Sequence, residues 1–249
     1  MIRCPRATAA DDESSGLARI LQPLTVVSWG PAAIHHLGVP IVVATVMISV
    51  RDEDYQTAIQ KLKDAGFIPC VPTRKPAPEI LASFQDPSRV IEEMNAGFKR
   101  VDCSSTTFEY PEHHPRAGLW ICLFPNSFTH LLCCGTTPTK KYDIYDNLFY
   151  PLEELLVESF VKAAIDEENE FKWSNWSESL RAWLSMMTGY LEVNNDVLDN
   201  CTDKRAVEWY STNFGRIREA KFGPWDRRVS KRLGSGKEMS VDMRGHPVW

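Results

Sequence analysis

Gly38–Asp54, GVPIVVATVMISVRDED, is the stretch that decides the fold. Within it, Val39–Val50 holds five valines and two isoleucines, and β-branched residues at this density favour a central strand. Asp52 suits the N-cap of a following helix, and Gly66 suits its C-terminal stop. The stretch therefore predicts a buried strand that leads directly into a helix.

The preceding segment has the same order of elements. Leu24–Trp29, LTVVSW, is a short apolar run that predicts a buried strand. Gly30 and Pro31 end that strand, and Pro31 fits the first turn of a short helix that runs to Gly38. The chain is therefore predicted to open as strand, helix, strand, helix.

The remainder divides into an irregular middle and a helical end. The middle predicts a loop, a short helix and three strands, at Ile68–Pro78, Ser88–Gly97, Arg100–Tyr110, Gly118–Phe124 and Thr129–Cys134 respectively. From Tyr150 the apolar period becomes helical, with a capping box expected at Asn175 and Glu178 and a last helix from Asp203 to about Lys221.

We interpret this pattern as an α+β fold, in which a mixed sheet flanked by helices is followed by a helical C-terminal half. We expect a flexible tail at residues 1–16, an α/β domain at 17–149, and a helical domain with a basic tail at 150–249.

Composition favours a protein that stays in the cytoplasm. With 43% hydrophobic residues in 249, the chain can bury a sizeable core. It has no apolar run long enough for a membrane span or a signal peptide, so we expect no membrane partner. Its seven cysteines are odd in number and scattered, which is typical of reduced core thiols.

The C-terminal segment is basic although the chain as a whole carries a net charge of -5. From Asp203 onward, eleven Lys and Arg residues outnumber six Asp and Glu residues. Such a segment is suited to an RNA backbone, with an aromatic ring to stack on bases; the candidate RNA-binding residues are Trp225, Arg227, Arg228, Lys231 and Arg232. The alternative is that these residues pair with the acidic body or form a solvated helix face.

Several polar residues are candidates for chemistry. Ser28, at the end of the first strand, is placed to accept an acyl group near the amides of the following helix, or simply to bond the backbone of the turn. Acids at predicted strand ends or loops would suit a guanidinium substrate, or be solvated surface groups. The candidates are Ser28 and Glu109 for catalysis, and Gly30, Thr45, Asp143 and Asp146 for substrate binding.

Metal and cofactor motifs are missing from the sequence. The spacings of His113, His114, His130, Cys133 and Cys134 do not match a zinc site, and there is no Gly-rich phosphate loop of the usual length. A nucleophilic cysteine beside a histidine stays open, because the two need to meet only in space. We expect neither a metal nor an organic cofactor.

About 70 residues at the start resemble the nucleotidyltransferase fold of minimal nucleotidyltransferases and related fungal proteins. The resemblance lies in Ser28-Trp29-Gly30, Ala33, Leu37-Gly38-Val39-Pro40 and Val42–Val50. In that family a Gly-rich turn cradles a triphosphate, and two carboxylates spaced one residue apart on the next strand hold a divalent metal. Those positions are Thr45 and Met47 here, and a hydroxyl and a thioether cannot replace charged oxygens on Mg²⁺.

Three functions remain open at this point. The first is a metal-independent transferase, similar in role to the fungal arginine-containing cyclodipeptide synthases, with aminoacyl-tRNA and an amino acid or other small molecule as partners. Peptide bond formation needs positioning and acid–base help but no metal. The second is a non-catalytic nucleotidyltransferase-like binding or regulatory module. The third is a metal-dependent nucleotidyltransferase with carboxylates elsewhere, for example Asp143 and Asp146.

Overall fold

A mixed seven-stranded sheet organises the protein. The computed structural model describes residues 4–131, 139–191, 193, 197–198 and 200–214. The strands run in the spatial order β3-β4-β5-β2-β1-β7-β6, where β2 is parallel to β5, β1 is parallel to β7, and the other neighbours are antiparallel. Their bounds are β1 Val26–Trp29, β2 Thr45–Val50, β3 Ile68–Cys70, β4 Thr106–Glu109, β5 Trp120–Pro125, β6 Tyr142–Tyr145 and β7 Leu148–Pro151.

Ten α-helices are described around this sheet. They are α1 Asp12–Leu21, α2 Gly30–His36, α3 Tyr55–Asp64, α4 Pro78–Leu81, α5 Pro87–Ala96, α6 Lys99–Ser104, α7 Asn126–Thr129, α8 Glu153–Glu170, α9 Asn175–Tyr190 and α10 Lys204–Phe214. Single 3₁₀ turns lie at Asp52–Asp54 and Thr139–Lys141. Within the described ranges, no helix has the length and apolar character needed to cross a membrane.

The two faces of the sheet carry separate cores, because side chains alternate along each strand. Val27 and Trp29 of β1 belong to the first core, with residues of α2, α8, α9 and α10. Val26 of β1 and Ile48 of β2 belong to the second, with residues of α1 and α3. We call these two sides of the sheet the Trp29 face and the Ile48 face.

An aromatic cluster forms the centre of the Trp29 face. The Trp29 ring lies 5.0 to 6.2 Å, centroid to centroid, from five other aromatic rings, those of Phe124, Phe128, Phe160, Trp176 and Trp183. Its indole N–H donates to Ser159 Oγ at 2.8 Å, and Ser159 in turn donates to the Thr129 carbonyl. The polar atom of this buried ring is therefore satisfied, while α8 and α9 cover the face.

The predicted order of strand, helix, strand and helix is confirmed for β1, α2, β2 and α3, but the unpredicted helix α1 precedes it and the strand limits differ from the prediction. The strand predicted from Val39 begins only at Thr45, and the preceding residues form a loop in which Val42 is 85% exposed. Proline at position 40 has no N–H for a sheet ladder, which fits its place outside β2.

The irregular middle also differs from its prediction in three places. The first part of the predicted strand Arg100–Tyr110 is helix α6, and only Thr106–Glu109 is extended. The predicted loop Ile68–Pro78 contributes the edge strand β3. The strand predicted at Thr129–Cys134 begins where α7 ends, and residues 132–138 lie outside the described ranges.

Three observations bear on the predicted domain limits and on the predicted capping box. Helix α1 begins at Asp12, inside the segment expected to be a flexible tail. The boundary expected near residue 149 falls inside β7, and α8 and α9 share their core with Val27 and Trp29. The cap of α9 is Ser174 with Ser177, rather than Asn175 with Glu178.

Candidate functional site

Three residues lie together on the Trp29 face at the positions where the resemblance places nucleotide and metal binding: Gly30, Thr45 and Met47. Thr45 and Met47 are two residues apart in β2, so both side chains lie on this side of the sheet. Cys122 of β5 pairs with Met47 on the neighbouring strand. A Cβ added at Gly30 would lie 2.7 Å from Met47 Sδ and 3.4 Å from the Trp183 ring. On this side of β1, β2 and β5 the polar or sulfur-containing side chains include two hydroxyls, Thr45 and Ser49, a thioether and a thiol, and none of the residues there is a carboxylate.

Gly30 combines a left-handed backbone with close neighbours on this face. Its φ of +61° is strained for a residue with a Cβ, and that Cβ would also overlap Met47. Because the flexible end of Met47 can move aside, we assign the cost to φ and expect Gly30→Ala to lower the free energy of unfolding by about 1–2 kcal/mol, measured by urea denaturation. Gly16→Ala is the control, because an added Cβ in α1 meets nothing within 4 Å and should stabilise by about 0.5–1 kcal/mol. A Gly30→Ala protein as stable as the parent would contradict the left-handed backbone at this position.

Ser28 lies on the other side of the sheet. It pairs with Ile48 of β2, is 0% exposed, and its hydroxyl has no hydrogen-bond partner among the described residues. The alternation along the strands therefore separates Ser28 from Thr45 and Met47. Gly30 is near Met47 for another reason: β1 ends at Trp29, and Gly30 begins α2 with a φ of +61°. A substrate would have to open the Ile48 face to reach this hydroxyl.

The candidate acids are also far apart. Glu109 ends β4, and Asp143 lies in β6 at one edge of the sheet. Five inter-strand steps separate β4 from β6, or roughly 24 Å at about 4.8 Å per step. Asp146 lies in the turn between β6 and β7, with a φ of +54°. The structure therefore does not bring Glu109 together with Asp143 and Asp146.

The basic segment cannot be placed against this site. The candidate RNA-binding residues Trp225, Arg227, Arg228, Lys231 and Arg232 all lie beyond residue 214, outside the described ranges. Cys133 and Cys134 likewise fall in the gap at 132–138, so a cysteine beside His130 stays a prediction. His130 itself contacts Asp166 of α8 at 2.8 Å.

Asp143 does lie in a polar cluster, together with two residues that the sequence did not single out. Arg6 donates to Asp143 Oδ2 through Nε at 3.0 Å and through Nη2 at 2.6 Å. His36 Nε2 lies 3.0 Å from the same oxygen, and its buried ring stacks on Tyr150 at 3.9 Å between centroids. The cluster ties the N-terminal segment and α2 to the edge strand β6.

His36 is held neutral in this cluster. Burial lowers the pKa of His36, against the opposing effect of Asp143. Burial by itself would raise the pKa of Asp143, but hydrogen bonds from His36 and Arg6 outweigh it, and the pKa is lowered. His36 therefore donates its Nε2–H to a carboxylate, and its Nδ1 is a buried lone pair without a hydrogen-bond partner in the described structure.

This arrangement predicts a pH dependence of stability. Because the pKa of His36 is lower in the folded than in the unfolded protein, the unfolded state binds more protons as pH falls through the ordinary histidine range. We expect urea unfolding to show lower stability at pH 5.5 than at pH 7.5, and His36→Gln to reduce this difference. The exposed neighbour His35 provides the control, His35→Gln, which should keep it. An unchanged pH dependence in His36→Gln would contradict the assignment.

A cavity of about 270 Å³ lies beside this cluster, at the start of α1. Its lining is Asp11, Glu13, Ala32, His35, Ile41, Val43, Val46 and Arg116. The Tyr150 hydroxyl donates to Asp11 Oδ2 at 2.6 Å, so the ring that stacks on His36 also holds an acid of the cavity. Burial, followed by the Asp11 charge, raises the pKa of Tyr150, which therefore stays a protonated donor.

The second acid of the cavity is held from two sides. Arg116 Nε lies 3.0 Å from Glu13 Oε1, and the Tyr110 hydroxyl donates to Glu13 Oε2 at 3.0 Å. A further cavity of about 350 Å³ also touches Glu13, and its lining includes Asp12 and His114. Asp11 and Glu13 therefore contribute two carboxylates to the lining of the 270 Å³ cavity.

None of these arrangements is a metal site. Across the part of the chain that the structure describes, no group of three or more His, Cys, Asp or Glu side chains is placed to hold an ion. Comparison with protein-family models, with curated proteins and with solved structures finds no match to this chain.

Proposed function

We propose that this protein is a non-catalytic binding module built on a nucleotidyltransferase-like sheet. The observation that carries the proposal is the composition of the Trp29 face. The positions where the resemblance places metal ligands hold Thr45 and Met47, and Trp183 packs over the glycine that would cradle phosphates. A closed face without carboxylates does not suit Mg²⁺ and a triphosphate.

The 270 Å³ cavity supplies a place to bind. It combines four apolar wall residues with two acids and an arginine, which is the mixture of shape and a few polar groups that small-molecule sites use. It lies by the start of α1, α2 and the loop before β2 rather than over the Trp29 face. Binding there is therefore compatible with the packing of α9 on the sheet.

Calorimetry with ATP and Mg²⁺ tests this proposal against nucleotidyl transfer. We expect no heat of binding and no release of pyrophosphate. Metal-dependent binding of ATP with turnover would overturn the proposal. If that turnover were lost in a Thr45→Ala, Met47→Ala double variant, the chemistry would lie on the Trp29 face.

A metal-independent transferase is the second candidate, and the His36–Asp143 pair favours it. A neutral histidine with a free lone pair, oriented by a carboxylate, is typical acid–base equipment. Such an enzyme, in the form of an aminoacyl-tRNA-dependent cyclodipeptide synthase, would need RNA. Reversing the charge of Arg227, Arg228, Lys231 and Arg232 should then abolish co-purification of tRNA, whereas the binding-module proposal predicts no such RNA at all.

Metal-dependent nucleotidyl transfer through Asp143 and Asp146 has no support in the described contacts. Asp143 Oδ2 already accepts hydrogen bonds from Arg6 and His36. Two cationic or proton-donating partners on one oxygen disfavour a metal ion at the same atom.

A further inference from the structure

We propose that the 270 Å³ cavity binds a small monocation with a short apolar body, of the class of primary alkylammonium ions. This inference rests on the proposed binding function and specifies its ligand. It is carried by the charge balance of the cavity, by its apolar wall and by its size.

The charge balance leaves one acid, the exposed N-cap residue Asp11, without an ion pair among the described residues. Glu13 is paired with Arg116 at 3.0 Å. Asp11 accepts only from neutral groups, the Ser14 amide at 2.8 Å and the Tyr150 hydroxyl at 2.6 Å, and no ion pair to Asp11 is found in the described structure. An ammonium group at Asp11 would complete the pairing, and each carboxylate oxygen keeps a lone pair for it.

The two arginines nearest the site pair with acids other than Asp11 in the described structure. Arg6 is bound to Asp143 at 2.6 Å and also approaches Glu153 at 3.9 Å. His35 lines the cavity beside α2 and is exposed. The acids around this site therefore outnumber the arginines, and an anionic ligand would meet two carboxylates.

The opposite wall is apolar. Ala32, Ile41, Val43 and Val46 line it, and burial of a few methylene groups against them would favour binding. A volume of about 270 Å³ is near the lower limit of ligand cavities, so the body of the ligand has to be short. A single positive charge and four or five carbons match both halves of the lining.

A charge-removing variant of Asp11 can leave the fold intact. Asp11 is the N-cap of α1, and asparagine caps a helix about as well as aspartate. Asp11→Asn therefore removes the charge and keeps the cap. Asp12→Asn is the matched control, since Asp12 is the next residue and lines the 350 Å³ cavity instead.

The test is calorimetry with three probes of nearly equal shape: 3-methylbutylammonium, 3-methylbutanol and 3-methylbutanoate. We expect the ammonium to bind, the alcohol to bind at least about tenfold more weakly, which corresponds to about 1.4 kcal/mol, and the carboxylate to give no heat. Asp11→Asn should weaken ammonium binding by at least about tenfold, and Asp12→Asn should leave it unchanged.

The apolar wall has its own paired variants. Val43 lines the cavity, whereas Val42 is 85% exposed beside it. We expect Val43→Ala to weaken ammonium binding about threefold or more and Val42→Ala to have no effect, because only Val43→Ala removes two methyl groups from the cavity wall.

Failure of this inference can be told from failure of the proposed function. Equal binding of the three probes, tighter binding of the carboxylate, no binding of the ammonium, or an equal loss in Asp12→Asn would each overturn the ligand class. Turnover of ATP in the preceding assay would overturn the binding-module proposal whatever the probes show.

Discussion

Replacing Trp29 by alanine is expected to lower the free energy of unfolding by about 3–5 kcal/mol, the usual cost of removing a buried aromatic side chain. The Trp29 ring is 0% exposed and touches five aromatic neighbours from β5, α7, α8 and α9. Its loss would also leave Ser159 Oγ without the indole donor. Urea denaturation monitored by far-ultraviolet circular dichroism measures the change without depending on tryptophan fluorescence.

A second tryptophan provides the control for this prediction. Trp173 precedes α9 and is 66% exposed, so Trp173→Ala should change stability by no more than about 0.5 kcal/mol. Trp29→Phe should restore part of the loss, because it keeps an aromatic ring and gives up only the hydrogen bond and the larger volume. Similar stabilities for Trp29→Ala and Trp173→Ala would mean that α8 and α9 do not cover this face of the sheet.

The second large effect is expected at Arg100. Its side chain is 15% exposed and lies over the Phe128 ring, with Nη1 3.6 Å from Glu167 Oε2. Glu167 is 1% exposed, and its other oxygen accepts from Ser174 at 2.6 Å. Arg100→Ala would leave this carboxylate buried without a cation, which typically costs about 3–5 kcal/mol. Urea denaturation at pH 7 measures the loss.

Two further variants separate charge from packing at this site. If the cost comes from the unpaired carboxylate, Glu167→Gln introduced into Arg100→Ala should recover a part of it, in a double-mutant cycle. Arg89→Ala is the surface control, since Arg89 is 73% exposed and, among the described residues, forms an ion pair only with Glu93 one helical turn away. An Arg100→Ala protein that is no less stable than Arg89→Ala would contradict the pairing.

Local sequence patterns were sufficient to predict the order of strands and helices where backbone preferences of neighbouring residues decide it. The opening order of strand, helix, strand and helix follows from β-branched runs interrupted by Gly30 and Gly38, and the structure has it. The hairpin of β6 and β7 was missed although a signal was present. Its strands alternate around Asp146 and Asn147, and Asp and Asn are residue types that tolerate the left-handed backbone of a tight turn.

The polar clusters depend on long-range pairing, which one sequence does not reveal. His36 meets Asp143 across 107 positions, and Arg6 meets it across 137. Neither residue stands in a motif, and the sequence of α2 does not distinguish the buried His36 from its exposed neighbour His35. The same limit applies to Ser28 and Gly30, because their neighbours in sequence do not show that α9 would close one face of the sheet and α1 the other.

The most direct test of binding without catalysis is an untargeted mass-spectrometric comparison of metabolites from cells that express the protein, its His36→Gln variant or no insert. We expect the two expressing cultures to contain no product that the empty culture lacks, and the purified protein to carry no tRNA. A new small peptide, above all one whose mass includes arginine, that is lost in His36→Gln would contradict the account and establish the metal-independent transferase.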